Sequence, residues 1–142
     1  MDIMEALLWL CLNIYHEARS DDRLGQLAVA HVTLNRAELR GLTVREVVLQ
    51  PAQFSWVDKV DIMPKEHNTM LEIANVAKTA FSGKDITGGA THYHHVSIQP
   101  HWADKMEYIT TFGSHKFYKK YKVKVLTAGN FKSKPNKARR KS

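Results

Sequence analysis

A change of period at Gly88-Gly89 divides the chain into a helical part and a shorter extended part. Before that point apolar residues recur every three or four positions. After it, residues 91–97 and 115–125 read as strands, the second with Phe117, Tyr121, Val123 and Val125 alternating with polar residues. Helices followed by a few strands imply the α+β class, mainly helical with a small β element. At 142 residues there is room for one domain with a proper core and little room for a second. The expected division is a folded unit over residues 1–128 and a tail over 129–142.

Four helices are legible. Asp2-x-x-Glu5 has the form of a capping box, and apolar residues follow at 4, 7, 8, 11, 14, 15 and 18. Asp21-Asp22 opens a second helix with Leu24, Leu27, Ala28, His31 and Leu34 on one face, and Gly25 and Ala30 allow close approach of a neighbour. Thr43-x-x-Glu46 caps a third, over residues 44–49, which Pro51 ends. Residues 50–67 read as a long loop. A fourth helix runs over 68–82 and stops at Gly83.

The charge is unevenly spread. Residues 116–142 hold eleven of the 21 Lys and Arg and no Asp or Glu, whereas the first 115 hold all fourteen acidic residues. The last stretch, 132–141, cannot bury enough surface to fold, so it reads as a cationic arm that attracts polyanions (nucleic acid, anionic lipid, lipopolysaccharide or cell wall), or as a solubilising tail. A non-catalytic nucleic-acid-binding module using residues 116–142 is a competing reading that leaves the first half of the chain unexplained. The N-terminus carries Asp2 and Glu5 where a secretory signal wants Lys or Arg, and the apolar run 6–14 is too short to span a membrane. The expectation is a soluble monomer made in the cytoplasm. Cys11 lies within the apolar stripe and reads as a small buried hydrophobe.

Glu17 is the one carboxylate placed for chemistry. It sits in Tyr15-His16-Glu17-Ala18-Arg19, at the shoulder of the apolar stripe and one turn beyond Asn13. A carboxyl at the edge of a hydrophobic wall is poorly solvated, which favours its neutral form. A protonated carboxyl can give its proton to a leaving oxygen, as glycoside cleavage requires. The competing reading is a surface Glu paired with Arg19 or Arg23. His16-Glu17 is not a zinc-protease motif, because Ser20 stands where the second His is needed. His92 and His94 would share one face of a strand and could ligate a metal, or line a polar cleft as hydrogen-bonding groups. No Cys joins them, and Ser55, Ser97 and Ser114 lack a nucleophile elbow. Gln53-Phe54-Ser55-Trp56, with Tyr93, Trp102, Phe117 and Tyr118, supplies the mixture of rings, amide and hydroxyl that suits a saccharide groove. Any one of those rings could equally be core.

These segments together resemble the SleB-type cell wall hydrolases, the family of spore-cortex-lytic and related bacterial and phage enzymes. The blocks that carry the resemblance are Ile14-Tyr-His-Glu-Ala-Arg19, Gly25-Gln-Leu-Ala-Val-Ala30, Leu34-Asn-Arg36 and Val47-Val-Leu-Gln-Pro-Ala-Gln-Phe-Ser-Trp56. Gly89-Ala-Thr-His-Tyr-His94, Pro100-His-Trp-Ala103 and Gly113-Ser-His-Lys-Phe-Tyr118 complete them, spanning residues 3–118 in order. The resemblance implies a lysozyme-like fold, similar to goose-type lysozymes and lytic transglycosylases, with peptidoglycan as substrate and no cofactor. It implies Glu17 as catalytic acid/base, and Gln53, Phe54, Ser55, Trp56, Thr91, His92, Tyr93, His94, Trp102, His115 and Tyr118 along the glycan groove. The family pattern continues Gly-Glu where this chain has Ser20-Asp21, and the separate wall-binding domain that the family's spore enzymes often carry is not expected here. The member it looks most like is a phage endolysin, acting at the wall without specific affinity for nucleic acid.

Two chemistries remain. A hydrolase, muramidase or glucosaminidase, needs a second carboxylate, for which Asp21, Asp22, Asp58 and Asp61 are candidates. A lytic transglycosylase cleaving the MurNAc–GlcNAc bond to 1,6-anhydromuramyl products needs only one, and is the favoured reading. A metal-dependent amidase built on His92 and His94 is the more distant alternative.

Overall fold

A computed structural model describes residues 2–50 and 64–121. Four α-helices come first: α1 (Ile3–Ala18), α2 (Arg23–Arg40), α3 (Val44–Leu49) and α4 (His67–Ser82). Three strands follow, β1 (His92–His95), β2 (Glu107–Phe112) and β3 (His115–Lys119), with a 3-10 helix, His101–Lys105, between β1 and β2. The strands form one antiparallel sheet in the order β1-β3-β2. The α+β reading is borne out, and so is the arrangement of helices before strands.

Local chemistry sets the helix ends. Asp2 caps α1 through the Met4 N–H, rather than through a reciprocal box with Glu5. Asp22, not Asp21, caps α2, accepting from the Gly25 N–H at 2.9 Å. The expected capping box of Thr43 and Glu46 is formed in full on α3. Gly41 ends α2 in the left-handed conformation, φ +67°, which suits a residue without a Cβ.

Two helices are buried more completely than their sequence stripes suggest. Residues 10–15 of α1 are all buried, as are residues 25–33 of α2. The reason is position: α1 packs on α2, α3 and α4, while α2 touches those helices and the sheet as well. The enclosed stretches of these two helices have no polar face to display. Leu24, expected on the inner face, instead lies at the open start of α2 and is half exposed. Cys11 is buried, and burial pushes its thiol up to about 11, which suppresses thiolate chemistry.

The sheet docks on α2 through Phe117, which packs fully buried with Ala28, Val29, Val32 and Ala90. β2 is the element the sequence did not announce. A register shift between Tyr108 and Thr110 interrupts its pairing with β3, so its in-out alternation is broken. Among the described residues no helix is long and apolar enough to cross a membrane.

Candidate active site

The last turn of α1 carries Glu17 out of the core and into an open cleft of about 300 Å³. Residues 16–21 form one wall, and His95, Ser114 and His115 form the other. Glu17 itself is half-buried. Both arginines of the surface-pair reading are engaged elsewhere. Arg19 pairs with Glu66 at 3.3 Å and lies over the Tyr15 ring. Arg23 donates to Asn75 and Thr79 on α4.

Asp21 lines the same cleft, and both of its oxygens are already held. Ser114 Oγ donates to Oδ1 at 2.6 Å, and His115 Nδ1 meets Oδ2 at 3.0 Å. Burial pulls the His115 pKa down while the Asp21 carboxylate partly restores it. The β2–β3 turn makes this contact possible. Gly113, at φ +58°, comes so close to Asp21 that a Cβ there would lie 2.9 Å from its carboxyl carbon. Ser114 is bonded to the carboxylate and not to the far nitrogen of the imidazole, so the trio is not a nucleophilic triad.

Tyr93 reaches the site from β1. Its ring meets His115 edge-on at 5.1 Å and packs on Phe117, while its hydroxyl is wholly enclosed. Burial raises its pKa well above the ordinary value, the Glu17 charge adds to this, and Arg36 and Asn13 oppose it. Glu17 and Asn13 thus lie close enough to act on the hydroxyl, although neither completes a hydrogen bond of normal geometry with it.

Strand alternation separates the remaining candidates. Tyr93, His95, His115 and Phe117 share the face turned to the helices; His92, His94 and Tyr118 share the opposite one. On that outer face Trp102 packs against His92, His94 and Tyr118, at ring separations of 5.4 to 5.7 Å. Both His94 ring nitrogens are engaged, one with Tyr118 Oη and one with the His95 carbonyl, so they are not free to ligate. His92 is held neutral, its pKa pulled down to about 4 by burial and by Arg36, Arg40 and Lys120. Among the described residues no three His, Cys, Asp or Glu converge as metal ligands. Thr91 lines a second, larger depression with Asn35, Glu38 and Lys119, sharing no lining residue with the first. Of the expected groove, then, Tyr93 and His115 come to Glu17. Thr91, His92, His94, Trp102 and Tyr118 do not, and Gln53, Phe54, Ser55, Trp56, Asp58 and Asp61 lie outside the described residues.

Sequence reasoning missed the polar anchors. Asn35 donates to Asp85 and to the Ala90 carbonyl, and Arg36 Nε donates to the Thr91 carbonyl at 2.7 Å, which together fix the entry to β1. A buried arginine on the core side of a helix was the available signal. Asn13, Thr33 and the partners of Asp21 gave none, because their pairing is set by tertiary contact.

A family model described as a cell wall hydrolase matches residues 20–118. Its span begins three residues after Glu17, so the case for that carboxylate rests on the geometry above. Among solved structures, the catalytic domain of the germination-specific lytic transglycosylase SleB from Bacillus anthracis is 29% identical, with a TM-score of 0.70. The match covers 80% of this chain and 93% of that one. The catalytic domain of the Bacillus cereus SleB protein is 30% identical, with a TM-score of 0.68 over 81% of this chain and 91% of that one. No curated protein sequence matches significantly.

Proposed function

The chain belongs to the SleB-type cell wall hydrolase family, and from that premise we propose that it is a lytic transglycosylase cleaving the MurNAc–GlcNAc bond of peptidoglycan, with Glu17 as its single acid/base. One observation carries the choice: Glu17 opens into a cleft whose other described carboxylate, Asp21, is held by Ser114 and His115. A hydrolase needs a second carboxylate free to act on water or on the sugar. Asp22 is also engaged, as the cap of α2.

The chemistry balances with one group. Protonated Glu17 gives its proton to the glycosidic oxygen as the C1–O bond breaks and positive charge spreads over C1 and the ring oxygen. The resulting carboxylate then takes the proton of the muramic acid C6 hydroxyl. That oxygen closes on C1 to form the 1,6-anhydro ring, Glu17 is protonated again, and no water is consumed. The Tyr93 hydroxyl stands near enough to steady the anionic form between the two transfers.

The likeness to SleB catalytic domains supports the substrate class. The basic segment 129–142 lies outside the described residues. Its charge supports a role in drawing the enzyme to anionic envelopes, and with it the endolysin reading, in which a phage product made in the host cytoplasm acts at the wall.

Glu17→Gln keeps the size of the side chain and removes the transferable proton. It is expected to cut muropeptide release from purified sacculi by about 10²–10⁴-fold with the circular dichroism spectrum unchanged. Release at the native rate by a folded E17Q protein would remove the assignment.

A further inference from the structure

Asn13 and Thr33 are fully buried polar side chains that take no part in lining the cleft. Thr33 Oγ1 donates to Asn13 Oδ1 at 2.5 Å, joining α2 to α1 in the middle of the apolar core. With the amide oxygen so occupied, the Asn13 Nδ2 group is left without a partner. An unpaired buried donor weakens a fold, and native interiors hold few of them. The only other such atom among the described side chains is the Tyr93 hydroxyl. Asn13 precedes Glu17 by one helical turn, so their side chains lie on the same face of α1, and Tyr93 packs on that same core.

The donor and acceptor inventory of these groups fixes the step from Asn13 to Tyr93 and, once Glu17 is ionised, the step from Tyr93 to Glu17. An Asn Nδ2 can donate but not accept, so its available partner there is the Tyr93 oxygen. A tyrosine that accepts from Asn13 has its own proton free to donate, and a carboxyl oxygen can accept it. The directions in which these neighbours shift the Tyr93 pKa agree, Asn13 lowering it as a donor would and Glu17 raising it as an acceptor would.

We propose that Thr33 and Asn13 are positioning residues, forming a one-way hydrogen-bond chain through Tyr93 to Glu17 that tightens when a glycan fills the cleft. The chain ties one Glu17 oxygen to Tyr93 and so keeps the acidic proton on the oxygen turned towards the glycosidic bond. After proton transfer it steadies the carboxylate that must act as base. This rests on the reading of Glu17 as the acid. The other charged or titratable groups around the pair are Arg36 from α2, His95 from β1, His115 with its partner Asp21, and His16 and Arg19 on α1.

The test replaces both buried polar groups by apolar ones of similar shape, in the double variant Asn13→Leu/Thr33→Val. Measured on solubilised glycan strands across pH, kcat should fall by about 10–100-fold with KM within about twofold of native. The basic limb of the kcat profile should move up by about half to one pH unit, because Tyr93, no longer oriented by Asn13, is a poorer donor to the charged form of Glu17. The thermal midpoint should not fall, since an unpaired buried donor has been removed. Native kcat with an unmoved basic limb would overturn the proposal, as would an activity loss that only follows a fallen midpoint. Should the double variant not fold, Thr33→Ser is expected to keep native kcat while Thr33→Val loses it, and equal behaviour of the two would count against the chain. Glu17→Gln in the same assay separates the two claims: E17Q inactive beside a native-like double variant defeats the chain alone, whereas an active E17Q defeats the acid assignment itself.

Discussion

Burial sets the surroundings of Glu17, since α1 buries every residue from Leu10 to Tyr15 before that half-buried side chain emerges into the cleft. The same effect governs His92, on the outer face of the sheet. Burial first, and then Arg36, Arg40 and Lys120, bring its pKa from the ordinary 6.5 to about 4. The unfolded chain therefore binds a proton in that window which the folded chain refuses, so stability is complete above about pH 6.5 and declines as pH falls towards 4. His31 and His115 are shifted in the same direction. The urea midpoint of the native protein should fall between about pH 7 and 4.5, and that of His92→Gln should fall less. Equal slopes would show that His92 titrates normally in the folded state. That Glu17 would stand at the edge of the helical core was legible in the sequence, because it lies just beyond the apolar run 6–14. Asn13 and Thr33 were not, because only the crossing of α1 and α2 brings them together.

At the scale of elements, the helices were readable because caps and period are local. Asp22, Thr43 and Glu46 act within four residues of where they stand. β2 was not readable, since a bulge destroys the alternation by which a strand is recognised. The face assignment of the histidines followed correctly from alternation, yet which face would meet Glu17 depended on Phe117 docking against α2. Phe117 is the largest fully buried side chain among the described residues. Phe117→Ala should cost about 3–5 kcal/mol in urea unfolding. It should also lower activity at temperatures where the protein remains folded, because Tyr93 and His115 lose the ring they pack on. A cost below about 1 kcal/mol would mean that the sheet is held by other contacts.

At the scale of the whole molecule, the described residues set Glu17 at the junction of two packed bodies, beside a carboxylate, Asp21, that is already held. The four helices form one core and the sheet is laid on α2 by a second, with the cleft where the end of α1 meets the β2–β3 turn. Family blocks scattered through the sequence converge there: the α1 end brings Glu17, Gly113 and Ser114 reach Asp21, and the β1 block delivers Tyr93. The proposed single-carboxylate chemistry would leave its mark on the product. The most direct measurement is mass spectrometry of muropeptides released from purified sacculi by the native protein. The account predicts 1,6-anhydromuramic ends, lighter by one water than the hydrolytic product. Reducing ends in their place would contradict it, and would require a second base acting on water in the same cleft.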